Sequence, residues 1–131
     1  MRRNPLPHPA LVEPIHCRDI RLEGFSTSQR LMWSIHPANC ENIVIRRLTI
    51  RSTGENGAGI DIDSCKHVVI YGCDVTEAFT LRQTSEDIAI TNCTMADSIF
   101  ACIGIGSETS GGIRNVRIEH CKYTGARTFA L

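Results

Sequence analysis

Asn42-Ile43-Val44-Ile45 is the stretch that decides the fold, because the same four-residue pattern recurs along the chain. Each copy has a small polar residue or histidine first, an aliphatic residue second, a variable residue third and an aliphatic residue fourth. The five copies are Asp19-Ile20-Arg21-Leu22, Asn42-Ile43-Val44-Ile45, His67-Val68-Val69-Ile70, Asp87-Ile88-Ala89-Ile90 and Asn115-Val116-Arg117-Ile118. Their first residues are 23, 25, 20 and 28 positions apart. A repeat of this length is typical of a solenoid protein.

Apolar and variable residues alternate within each copy, and many of the apolar residues are β-branched. Both features predict a β-strand rather than a helix. Parallel strands stacked coil on coil bury their aliphatic residues in one continuous core, so we expect an all-β protein, a single-stranded parallel β-helix of about five coils. The polar first residue suits a left-handed turn that bonds to the neighbouring coil. One inward column should contain the last residue of four copies, Ile45, Ile70, Ile90 and Ile118.

The cysteines fit the same repeat. Their number, seven, excludes complete pairing in disulfides. Three of them lie three positions beyond a copy and should form an inward column of small apolar side chains, namely Cys73, Cys93 and Cys121. Three more lie two positions before a copy and should form a second column, Cys17, Cys40 and Cys65. Cys102 falls outside both. His36 and Cys40 have ligand-like spacing but no second pair accompanies them, so we expect no metal site and no cofactor.

A second, shorter strand is expected in each coil before the repeated pattern. The candidates are Trp33-Ser34-Ile35, Ile60-Asp61-Ile62, Phe79-Thr80-Leu81 and Ile103-Gly104-Ile105. The loop at 106–112 accounts for the longest spacing, and residues are missing between the third and fourth copies relative to the other coils. Residues 1–14 are a proline-rich, loop-like leading segment. We expect residues 1–131 to form one β-helix domain.

The charge balance limits the classes of partner. Fourteen basic and fourteen acidic residues give a net charge of zero, which argues against a nucleic-acid-binding protein. No apolar run is long enough to span a membrane. No apolar stretch follows the basic start, so the sequence predicts no signal peptide, and the cellular compartment stays open.

An acidic strand follows a glycine-rich turn at 56–65, Asn-Gly-Ala-Gly-Ile-Asp-Ile-Asp-Ser-Cys. Alternation should point Ile60 and Ile62 into the core and Asp61 and Asp63 outward. Residues two apart on a strand are separated by about 6.6 Å, so two exposed carboxylates here could share acid and base roles on one sugar. The alternative is a solvated acidic strand face without a catalytic role.

Three stretches together resemble glycoside hydrolase family 28, the polygalacturonases and related pectin-degrading enzymes. They are 33–43, Trp-Ser-Ile-His-Pro-Ala-Asn-Cys-Glu-Asn-Ile, then 56–65, and then 105–116, Ile-Gly-Ser-Glu-Thr-Ser-Gly-Gly-Ile-Arg-Asn-Val. The resemblance covers nearly the whole chain from about Pro9 onward. It implies a right-handed parallel β-helix, in agreement with the repeat, and inverting hydrolysis of α-1,4 galacturonan linkages in pectin. Family members are a few times longer, so the chain resembles a central piece.

The family's catalytic residues have few counterparts in this chain. Asn56 matches the asparagine of the family's Asn-x-Asp motif, but Ala58 stands at its aspartate. The family's Asp-Asp pair would fall at 75–78, which reads Val-Thr-Glu-Ala, and its Gly-His-Gly at 99–102, which reads Ile-Phe-Ala-Cys. Its Arg-Ile-Lys strand would follow Leu131. The comparison therefore predicts a hydrolase scaffold, shortened near Thr76, with little or no activity.

Three functional hypotheses stay open. The first is an altered polygalacturonase that uses Asp61 and Asp63. The second is a non-catalytic module that binds uronate-containing polysaccharide through Asn56 and through three arginines whose guanidinium groups match carboxylates, Arg82, Arg114 and Arg127. The third is a truncated piece of a hydrolase without activity of its own. No capping helix is visible, so we also expect self-association through exposed coil ends.

Overall fold

The structure, a computed structural model, describes residues 10–29, 33–52, 59–76, 79–82, 85–96, 103–105 and 112–124. Every regular element in these ranges is a β-strand, and the strands form three parallel sheets of five. The chain visits the three sheets in turn, so three consecutive strands make one coil. The described ranges contain no helix with the length and apolar character needed to cross a membrane.

Fifteen strands, numbered in chain order, are found in the described residues. The first sheet contains β1 (Ala10–Val12), β4 (Trp33–Ile35), β7 (Ile60–Asp63), β10 (Phe79–Arg82) and β13 (Ile103–Ile105). The second sheet contains β2 (Arg18–Glu23), β5 (Glu41–Arg46), β8 (Lys66–Tyr71), β11 (Glu86–Thr91) and β14 (Arg114–Glu119). The third sheet contains β3 (Ser26–Gln29), β6 (Thr49–Ser52), β9 (Asp74–Thr76), β12 (Thr94–Ala96) and β15 (Lys122–Thr124).

The repeated pattern forms the second sheet, and its copies stack in register. Ile45 lies opposite Ile70, Ile70 opposite Ile90, and Ile90 opposite Ile118. The predicted inward column is therefore confirmed, as are the four short strands expected before the pattern, which are β4, β7, β10 and β13. The fold is a right-handed parallel β-helix, with the hand that nearly all parallel crossovers have.

The polar first residues of the copies form a ladder of left-handed turns, which we call the turn ladder. Asp19, Asn42, His67, Asp87 and Asn115 all have positive φ, between 54° and 60°. Asn42 Nδ2 donates to Asp19 Oδ1 at 3.1 Å, and Asn115 Nδ2 donates to Asp87 Oδ1 at 2.9 Å. His67 Nδ1 lies 3.1 Å from Asp87 Oδ2. Both parts of the prediction, the left-handed backbone and the bond to the next coil, are confirmed.

Both cysteine columns are confirmed: the four members from the middle coils are buried, whereas Cys17 in the first coil is exposed and Cys121 in the fifth coil is half-buried. The backbone N–H of Cys73 donates to Cys93 Sγ at 3.4 Å, and that of Cys17 donates to Cys40 Sγ at 3.4 Å. The six cysteines in the described ranges are free thiols, and Cys102 lies outside those ranges. Burial raises the pKa of Cys65 to about 12, because the thiolate would lose its hydration there.

The structure adds elements that the sequence did not reveal. Each coil has three strands rather than two, because the third sheet is built from strands of three or four residues. Strands this short contain too few alternations to show a period. Strand β1 lies inside the leading segment 1–14, where prolines dominate the composition and indicate a loop.

Coil length varies where the chain returns from the third sheet to the first. Strands β9 and β10 are separated by two residues, 77–78, whereas β6 and β7 are separated by seven, 53–59. The short spacing of 20 residues between the third and fourth copies thus arises in this return. The second sheet nevertheless keeps six-residue strands in every coil.

Candidate functional site on the first sheet

Titratable residues occupy the same position in three successive coils of the first sheet. Strand β1 pairs with β4 so that Val12 lies opposite Ile35, and β4 pairs with β7 so that Ile35 lies opposite Ile60. Ile35 and Ile60 are fully buried in the core. The residue after each of these three therefore lies on the outer face, beside its counterpart in the next coil. These three residues are Glu13, His36 and Asp61.

His36 links the acidic residues around it. Its Nδ1 lies 2.6 Å from Glu13 Oε2, so the Nδ1–H donates to this carboxylate. Its Nε2 lies 3.7 Å from Asp61 Oδ2 and 3.6 Å from Asp63 Oδ2. A proton on Nε2 makes both contacts favourable, because the imidazolium then faces charges of opposite sign. We call these four residues the His36 cluster.

Asp61 is buried, so the expectation that both aspartates are exposed is wrong for this residue. Its side chain is 0% exposed and that of His36 is 11% exposed. Ser34, on the same outer face, is also 0% exposed. Alternation correctly placed the Asp61 side chain on the outer face of β7, away from the core, but this part of the outer face is enclosed. A carboxylate without access to water is stabilised by a cationic partner or by hydrogen bonds, and His36 is placed to serve as that partner.

Asp63 is the partly open member of the pair. Its side chain is 21% exposed, and Ser64 Oγ donates to its Oδ1 at 3.0 Å. Its backbone N–H donates to the Pro37 carbonyl at 3.1 Å, which fixes the end of β7 against the preceding coil. Strand β10 pairs with β7 so that Arg82 lies opposite Asp63. The backbone register therefore puts one of the three candidate arginines level with Asp63 in the next coil.

Arg114 lies on the second sheet, in a column of alternating charge that we call the charged ladder. The guanidinium of Arg114 donates from Nη2 to Glu86 Oε1 at 3.3 Å, and Arg18 Nη2 lies 3.6 Å from Glu41 Oε2. The five members of the ladder are in register along the coils, Arg18, Glu41, Lys66, Glu86 and Arg114. Alternating signs favour the stacking of neighbouring coils. The other candidate residues, Asn56, Ala58 and Arg127, lie outside the described ranges.

Glu13 and His36 are the site residues that sequence reasoning missed. The available signal was positional, since alignment of the coils on Val12, Ile35 and Ile60 puts residues 13, 36 and 61 in one column. The spacing of His36 and Cys40 proved uninformative, because Cys40 Sγ instead donates to the Pro14 and Ala38 carbonyls, both at 3.3 Å. Among the described residues, no group of three or more His, Cys, Asp or Glu side chains is arranged to hold a metal ion.

Known proteins are similar to this chain both in sequence and in structure. No family model matches the chain. A probable polygalacturonase from Vitis vinifera is 28% identical over 127 residues, covering 85% of this chain and 26% of that protein. The crystal structure of a hyperthermoactive exopolygalacturonase from Thermotoga maritima matches with a TM-score of 0.82 and 29% identity, covering 93% of this chain and 31% of that chain. The chain is a polygalacturonase-like β-helix.

The resemblance drawn from three short stretches is thus confirmed along nearly the whole polygalacturonase-like chain. The chain spans well under half the length of either relative, 26% of the grape protein and 31% of the Thermotoga enzyme. The likeness therefore concerns one set of coils in each of these proteins. Within those coils, the described residues that can carry acid–base chemistry on the first sheet are those of the His36 cluster.

Proposed function

We propose that this chain forms part of the β-helix of a polygalacturonase-like glycoside hydrolase whose substrate is a galacturonan, as in pectin. The observation that carries the proposal is the match to an exopolygalacturonase with a TM-score of 0.82 and 29% identity over 93% of the chain. Identity and fold agree over the same residues, so the relationship does not rest on the general β-helix shape. Fold alone would not support a function.

We further propose that the chain by itself does not hydrolyse polygalacturonate. Inverting hydrolysis needs two carboxyl groups about 6.5–9.5 Å apart on opposite sides of the scissile bond. Ala58 has no acid at the position of the family aspartate, and Asp61 is enclosed beside His36. Glu13 and Asp63 are the partly open acids of the described cluster, 36% and 21% exposed, but both contact the His36 ring, and neither occupies a position of the family's catalytic motifs.

The charge of the His36 cluster supports a structural rather than a substrate-binding role. Three carboxylates surround one imidazole, so these four side chains carry a net negative charge even when the imidazole is protonated. A polyuronate is itself an anion and is repelled by such a group. We propose that the cluster joins three successive coils of the first sheet, and that uronate is bound by arginines instead.

The activity proposal is tested by incubating the intact chain with polygalacturonate and measuring reducing ends, with an active polygalacturonase as the positive control. No release above the blank is expected. Ala58→Asp alone should also be inactive, because the family's Asp-Asp pair still has no counterpart at 75–78. Turnover by the unmodified chain that is abolished by Asp63→Asn would contradict the proposal and make Asp63 a catalytic residue.

The binding proposal has a matched pair of arginines within the charged ladder. Arg114 and Arg18 occupy its two ends, are 74% and 71% exposed, and each contacts one glutamate. Only Arg114 is among the three arginines proposed from the sequence as uronate ligands. Calorimetric titration with oligogalacturonate should therefore show weaker binding for Arg114→Gln than for Arg18→Gln. Equal losses, or binding of a neutral oligosaccharide with the same affinity, would assign both arginines to coil stacking alone.

A further inference from the structure

The outer face of the second sheet exposes apolar side chains at its centre. Val69 and Tyr71, both on β8, are 44% and 46% exposed. Val44 and Ala89 lie beside Val69 in the adjacent coils and are half-buried. A groove of about 990 Å³ runs along the same face between the turn ladder and the positions of Val44, Val69 and Ala89. An apolar patch that is bordered by charged residues is typical of an interaction surface.

The outward residues of this face form two parallel columns with opposite charges at their ends. The arginine-ended column contains Arg21, Val44, Val69, Ala89 and Arg117. The glutamate-ended column contains Glu23, Arg46, Tyr71, Thr91 and Glu119. Every residue of one column thus has a counterpart two positions along the same strand in the other column. The first and fifth coils each pair an arginine with a glutamate, and the middle coil pairs valine with tyrosine.

We propose that this face binds a second copy of the chain about a two-fold axis that is parallel to the coil axis and runs between the two columns. Such an axis exchanges the columns and keeps each coil at its own level. Tyr71 then packs on Val69 of the second copy, and each terminal arginine faces a terminal glutamate. The contact is isologous, since every interaction occurs twice.

The charges select this axis over the other two-fold arrangement of the same face. A two-fold axis along the strands would keep the columns in place and exchange the first coil with the fifth. Arg21 would then face Arg117, and Glu23 would face Glu119, which gives like-charge contacts at both ends. Like charges placed opposite each other suppress an interface, whereas complementary charges fix its register.

The size of the face indicates a weak dimer. Five coils spaced about 4.8 Å apart and six-residue strands with a rise of about 3.3 Å per residue give a face of roughly 20 Å by 20 Å. Two copies would bury roughly 800 Å², which lies below the value of about 1,000 Å² expected for a stable complex. A dissociation constant on the order of 100 µM is therefore expected.

Analytical ultracentrifugation of the intact chain between 10 µM and 1 mM tests the proposal. A closed dimer saturates at two copies, whereas association through coil ends continues to larger species. Tyr71→Glu should raise the dissociation constant at least tenfold. Leu11→Glu is the matched control, because Leu11 is 45% exposed but lies on the first sheet side of the first coil. Circular dichroism checks that both variants are folded.

A charge exchange in the fifth coil tests the symmetry directly. Arg117→Glu and Glu119→Arg should each weaken self-association, because each homodimer then contains two like-charge contacts. A one-to-one mixture should associate more tightly than either variant alone, since the two acidic residues of one chain face the two basic residues of the other. A chain that is monomeric at 1 mM, a mixture no tighter than its components, or equal effects of Tyr71→Glu and Leu11→Glu would overturn the proposal.

Discussion

Ile90→Ala tests the packing of the aliphatic column most directly. Ile90 is fully buried in β11 and lies between Ile70 and Ile118 of the neighbouring coils. The substitution removes three carbon groups, and their transfer from water to the core is worth roughly 0.8 kcal/mol each. The coils above and below are fixed by their own ladders of hydrogen bonds, so the cavity cannot close by a local shift. The cavity term raises the expected loss in the free energy of unfolding to about 3–4 kcal/mol.

Equilibrium unfolding in urea, followed by circular dichroism, measures this loss. The denaturant dependence should keep its slope, because the same surface is exposed on unfolding in both proteins. Val69→Ala is the control on the same sheet, since the Val69 side chain is 44% exposed and points outward. Its cost should be below about 1 kcal/mol. A loss below about 1 kcal/mol for Ile90→Ala, or equal losses for the two variants, would refute the assignment of Ile90 to a closely packed core column.

Three further predictions concern thiols, a surface carboxylate and the His36 cluster. A thiol reagent should modify Cys17 before Cys65 in the native protein, because Cys17 is exposed and burial raises the pKa of Cys65 to about 12. After unfolding, all seven thiols should react. The hydrogen bond from Arg46, followed by smaller charge effects, holds the pKa of Glu23 below its ordinary value near 4.5. Any stabilisation from this carboxylate is therefore fully present above pH 4.5 and is lost as the pH falls through the lowered pKa. A carbon-detected titration should show this low pKa, and Arg46→Gln should raise it. Asp61→Asn should lower the free energy of unfolding by about 1–3 kcal/mol, and unchanged urea stability would contradict a structural role for this carboxylate.

The second sheet was predictable from sequence because each of its strands has six residues. Six residues contain enough alternation to identify inward positions, and the polar residue at the left-handed turn marks the register of every copy. The third sheet was not predictable, because three or four residues show no period and their order follows from closure of the coil. The lengths of the returns between the sheets vary from two to seven residues, and no local rule in the sequence fixes them.

The acidic pair shows a different limit of sequence reasoning. Alternation assigns Asp61 and Asp63 to one side of β7, and the structure agrees, since both face the same imidazole nitrogen at 3.7 and 3.6 Å. Alternation does not tell which outward positions contact water. Asp61 is enclosed while Asp63, two residues later, is partly open. The distinction depends on neighbouring coils that are distant in sequence, and it becomes visible only when Glu13, His36 and Asp61 are aligned as one column.

That column also explains why a carboxylate pair in a polygalacturonase-like sequence need not be catalytic. A general acid or base must exchange its proton with the substrate, and therefore needs an open path to it. Asp61 is 0% exposed and so lacks an open path, and among the described residues the His36 imidazole lies 3.7 Å from its carboxylate. His36 is itself bound to Glu13 on the other side. The contacts of His36 with Glu13 and Asp61 join three successive coils, so the cluster can contribute to the stability of the scaffold without contributing to hydrolysis.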